Sequence, residues 1–80
     1  MRTFIFAGTP VEAMKYRDRN CLFDADILLS DYPLMGTRGC EVYLVGTYQS
    51  NPVWETVRIR LETLRVFNSV KVHVEEWCRD

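Results

Sequence analysis

The sequence predicts one α/β domain built on a mainly parallel sheet of four strands. Three observations carry that expectation. Short β-branched or aromatic runs alternate along the chain with segments of helical periodicity. Two of those segments open on a capping residue followed by proline, Thr9-Pro10 and Asn51-Pro52. The last apolar run, Val70, Val72 and Val74, alternates strictly with Lys71, His73 and Glu75, as a strand with one wet face does.

In order, Thr3 to Ala7 reads as a short strand that Gly8 ends. Thr9 then caps a helix, Pro10 fits its first position and Glu12 completes a capping box. The helix should run to about Arg19, with Asn20 taking a left-handed stop. Val11, Met14 and Ala13 are expected inside, and Lys15, Arg17, Asp18 and Arg19 in water. Ile27-Leu28-Leu29 suits a strand covered on both faces. Asp31 to Cys40 holds Pro33, Gly36 and Gly39 and reads as a loop with one helical turn near Leu34 and Met35. Glu41 to Thr47 is the strongest strand, ended by Gly46. Val53, Trp54, Val57, Leu61 and Leu64 then recur at helical spacing opposite Arg58, Arg60, Glu62 and Arg65, and Asn68 ends the connection.

Strands alternating with helices imply right-handed crossovers. The expected sheet order is 2-1-3-4, a Rossmann-like half in two or three layers, with an antiparallel fourth strand as the alternative. The whole chain, residues 1–80, forms the one domain, since a chain of 80 residues has no room for two.

Composition bounds the function. Hydrophobic residues make up 48 % of the chain, enough for a core rather than a disordered coil. Ten basic against eleven acidic residues give a net charge of -1, without the basic excess of a nucleic-acid binder. No apolar run approaches the roughly 18 residues of a membrane helix, and the start lacks the long apolar stretch of a signal peptide, so a cytoplasmic protein is expected. The cysteines Cys21, Cys40 and Cys78 are scattered and His73 is the single histidine, which fits reduced thiols and no metal site. No cofactor is expected.

Ligands of parallel α/β sheets bind beyond the carboxyl ends of the strands, where the strand order reverses. Under the expected topology that edge collects Gly8, Thr9, Ser30, Asp31, Gly46, Thr47 and Tyr48. Gly-Thr ends both strands that flank the reversal. A glycine there admits close approach of a ligand, and helix starts favour anions. The plainer reading is a turn followed by a cap, and Pro10 and Pro52 each remove an amide donor. Arg38, between Gly36 and Gly39, has the fork to grip a phosphate or carboxylate. No GxGxxG, P-loop or nucleophile elbow occurs. Of the carboxylates Asp24, Asp26 and Asp31, only Asp31 lies at the carboxyl edge.

The segments Gly8-Thr9, Leu29-Ser30-Asp31, Gly36-Thr37-Arg38-Gly39 and Val45-Gly46-Thr47-Tyr48 span most of the chain. Together they resemble small uncharacterised Rossmann-like accessory proteins of actinobacterial phages. The resemblance implies a phage product acting in the host cytoplasm and carries over no catalytic residue.

The resulting expectation is a non-enzymatic protein-interaction module, possible as a homodimer, with Val70, Val72, His73 and Trp77 of the last strand and tail as the interface. An unpaired edge strand on so small a domain gains from association. The alternative is a small-ligand binder, for a nucleotide or other anion, at Gly8, Thr9, Asp31, Arg38, Gly46, Thr47 and Tyr48.

Overall fold

A computed structural model of the chain describes residues 2–34 and 39–75. Arg38 and Trp77 lie outside the described residues. The four strands are β1 (Arg2–Phe6), β2 (Asp26–Ile27), β3 (Cys40–Val45) and β4 (Val70–Glu75). They form one sheet in the order β2-β1-β3-β4, with every neighbouring pair parallel. The expected strand order holds, and the last strand is parallel. Helices α1 (Pro10–Arg19) and α2 (Trp54–Val66) and the single 3₁₀ turns Tyr32–Leu34 and Tyr48–Ser50 complete the described elements.

Period-two alternation divides the strand side chains between two faces. Phe4, Phe6, Val42 and Leu44 pack with Val57 and Leu61 of α2. Ile5, Ala7 and Val45 pack with Ala13 of α1. The helices therefore lie on opposite faces and the domain has three layers. No polar or charged residue is buried among those described. The α2 face carries the larger side chains, with Leu34 of the first 3₁₀ turn sealing it beside Leu28.

Four local expectations are corrected. Val11 and Met14 point outward, 61 % and 45 % exposed. Ala13 is the buried contact of α1, with half-buried Tyr16 beside it. At about 100° per residue Val11 is turned almost to the opposite side from Ala13. A small residue set the helix phase because it lets α1 approach the sheet closely. Second, β2 is two residues long. The Leu28 amide still donates to the Ile5 carbonyl at 2.9 Å, but the chain then leaves the sheet and Leu29 is 61 % exposed. Third, the left-handed residue after α1 is Cys21 (φ 55°), with Asn20 in an ordinary conformation. Fourth, α2 begins at Trp54. Asn51 acts earlier, its Oδ1 accepting from the Val53 amide at 2.9 Å in an Asx turn. Asn68 does take a left-handed conformation before β4 (φ 54°).

Candidate functional site

At the carboxyl edge, β1 and β3 end side by side on Gly8 and on Gly46-Thr47. Gly46 has φ 58°, a left-handed conformation in which glycine is at ease. This bend turns the Thr47 amide toward α1. The first turn of α1 presents Glu12 to the same place. Glu12 Oε1 accepts from the Gly8 amide at 3.2 Å, the Thr47 amide at 2.8 Å and the Thr47 hydroxyl at 3.1 Å. The capping box is therefore half formed. The Glu12 amide donates to Thr9 Oγ1 at 3.1 Å, while its carboxylate reaches across the sheet edge.

The packing leaves no spare room. A Cβ on Gly46 would collide with the Glu12 carboxylate. One on Gly8 would collide with Thr47 Oγ1 and lie 2.7 Å from the Thr47 carbonyl oxygen. The two glycines thus serve a close approach within the chain. The donors that a bound anion would use are already engaged by a resident carboxylate.

Beside this clasp lies a cleft of about 230 Å³, walled by Ala7, Gly8, Pro10, Leu28, Leu29 and Pro52 among others. Its lining is mostly apolar, and both prolines lack an amide donor. Asn51 closes the side toward α2, where its Nδ2 donates to the Ala7 carbonyl at 2.9 Å.

The structure brings Gly8, Thr9, Gly46 and Thr47 together and turns Asp31 and Tyr48 toward α2. Asp31 lies 3.8 Å from Arg60 Nε. Tyr48 packs edge-on against Trp54, ring centroids 4.9 Å apart, and Trp54 in turn meets Phe6 at 5.8 Å. Both rings belong to the α2-side core. Val70 and Val72 face that core half-buried, and His73 faces the other side of the sheet, so these interface candidates do not share a face.

Sequence reasoning assigned Glu12 to its own helix cap. An acid one turn beyond a strand-ending glycine, with a second Gly-Thr on the neighbouring strand, is the pattern that marks it. It also passed over a cluster around His73. The imidazole Nε2 lies 2.8 Å from Glu41 Oε2 and the ring stacks on Tyr43 with centroids 4.6 Å apart. Parallel register places Tyr43 directly beside His73 and Glu41 beside Lys71. Equal parity along two neighbouring strands was the available signal.

β4 ends the sheet on one side. Within a strand, a residue directs its N–H and C=O to the same side, and the side alternates along the chain. The Cys40 amide donates to the Ser69 carbonyl at 3.1 Å. Residues 69, 71 and 73 therefore face β3, while Val70, Val72 and Val74 direct their backbone groups to the outer edge, where no described strand lies. Among the described residues no cluster of three His, Cys, Asp or Glu side chains gathers as for a metal ion. Nor is any helix long and apolar enough to cross a membrane. No family model, curated protein or solved structure matches the chain, so no residue inherits a role from a relative.

Proposed function

We propose that this chain is a non-enzymatic protein-binding module that acts by accepting an added strand at β4. One observation carries the proposal: the backbone N–H and C=O groups of Val70, Val72 and Val74 lie on an edge that no described strand covers, on a strand held in register with β3 over six residue pairs. An exposed edge of this kind is a template for another chain. Residues 70–75 contain no proline to block it. Beside it, Val74 is 61 % exposed and offers apolar surface to an incoming side chain. A phage accessory protein gripping a host or phage protein in the host cytoplasm is the setting the sequence resemblance suggests.

Amide hydrogen exchange tests the proposal. In dilute protein the amides of Lys71 and His73 should be protected by β3, while those of Val70, Val72 and Val74 exchange freely. On concentrating the protein, or on adding bacterial extract, the three valine amides should become protected. Free exchange of all three under both conditions would overturn it.

The cleft favours a second reading, a small-ligand site at the carboxyl edge. A nucleotide or other anion would have to displace the Glu12 carboxylate from the Gly8 and Thr47 amides. Thermal shift with nucleotides and sugar phosphates should then stabilise a Glu12→Ala chain more than the parent. Equal absence of any shift in both chains sets this reading aside.

A further inference from the structure

We infer that the strand added at β4 is the β4 of a second copy, antiparallel and centred on His73, which makes one continuous eight-stranded sheet. This inference rests on the proposal that β4 is a binding edge. A two-fold axis perpendicular to a sheet matches each face with itself, so residues of equal parity stand opposite one another. Three central registers then compete, and the side chains distinguish them.

With His73 at the axis, Val72 stands opposite the second copy's Val74. Both direct their backbone groups outward, so they form a hydrogen-bonded pair and its symmetry mate, each closing two N–H to carbonyl bonds. On the α2 face, the exposed Val74 gains a β-branched neighbour, a favourable cross-strand pair. On the other face, exposed Lys71 stands opposite position 75 of the second copy, which is a glutamate in the sequence. Two such lysine–glutamate positions flank the axis. The two His73 rings meet at the centre, each already held by Glu41 at 2.8 Å and stacked on Tyr43.

A register centred on Val72 sets Lys71 against His73, with no acid opposite it. One centred on Lys71 sets lysine against lysine, and like charges directly opposite are destabilising. Of the three, only the His73-centred register places opposite charges together.

The experiment is sedimentation equilibrium on the full chain, with isotope-filtered NOEs on a mixture of differently labelled copies. The parent should dimerise, with Val72–Val74 contacts between copies. Lys71→Glu alone should weaken the dimer about tenfold, because two attractive pairs become repulsive. Lys71→Glu combined with Glu75→Lys should restore it. A dimer indifferent to the single change, or contacts of another register, overturns the inference. So does a chain that stays monomeric at every concentration. In that case, protection of the valine amides in bacterial extract would leave β4 as a binding edge for a different partner. Free exchange there as well would remove both readings.

Discussion

Glu12 Oε1 lies 2.8 Å from the Thr47 amide nitrogen, so the first turn of α1 is tied to the end of β3 across 35 residues of chain. The same oxygen takes the Gly8 amide of the intervening strand end. One carboxylate thus fixes α1, β1 and β3 relative to one another at the edge where the strand order reverses. It also sits at the positive end of α1, which suits an acid. Glu12→Ala should destabilise the domain by about 1–3 kcal/mol, the range for hydrogen bonds to a charged group in a part-exposed site. Glu12→Gln, which keeps an acceptor, should lose less. Urea denaturation of the three chains checks the order. Equal stability of all three would mean that the clasp contributes nothing.

The glycines separate backbone cost from steric cost. Gly39 and Gly46 both have positive φ, 73° and 58°. A Cβ on Gly39 meets nothing within 4 Å, whereas one on Gly46 strikes Glu12. Gly39→Ala should therefore cost about 1–2 kcal/mol, the left-handed penalty alone. Gly46→Ala should cost clearly more. In a Glu12→Ala background the two substitutions should become nearly equal, because the colliding group is gone. Gly46 is thus a poor position for testing ligand binding by bulk, since the change alters the fold's own clasp.

The topology was legible because each strand and helix carries its own signal: alternation in residues 70–75, helical recurrence from Val53 to Leu64, and Thr9-Pro10 at the start of α1. What the sequence hid depends on three-dimensional proximity. The phase of α1 was misread because Val11 and Met14 are larger and more apolar than Ala13, yet close helix–sheet contact selects the small residue. Glu12 was assigned to a local cap because a capping box and a clasp to a neighbouring strand look identical in one dimension. Tyr48 was expected at the ligand edge, and only the position of Trp54 shows that its ring belongs to the core.

The thiols should differ sharply in reactivity. Cys40 is 1 % exposed on the α2 face of β3, and burial raises its pKa above the ordinary thiol value, only partly opposed by the charge of Arg2. Cys21 is exposed just beyond α1. The thiolate is the reactive form, so a buried thiol with a raised pKa is doubly protected. In a Cys78→Ser chain, a disulfide reagent should label Cys21 promptly and Cys40 only upon unfolding. Peptide mapping of the labelled sites distinguishes the two, and prompt labelling of Cys40 would mean that β3 opens readily.

The exposed flank of α2 should give the domain a small acid sensitivity. Arg58 donates to both carboxylate oxygens of Glu55 through Nε and Nη2, and its Nη1 reaches Glu62 at 2.9 Å one turn later. The hydrogen bonds and charge of Arg58 lower the Glu55 pKa below its ordinary value of 4.5. A carboxylate whose folded pKa is depressed binds protons less readily folded than unfolded. Its contribution is therefore complete above the unfolded value and is lost as pH falls through the folded one. Glu55→Gln should lower the melting temperature slightly near neutral pH. The gap from the parent chain should begin to shrink near pH 4.5 and close as the medium becomes more acid. High salt should narrow it at neutral pH as well, because the pair lies at the surface within reach of solvent screening. Melting curves of the two chains across pH and salt measure that gap directly, and a gap that widens on acidification would reverse the assigned sign.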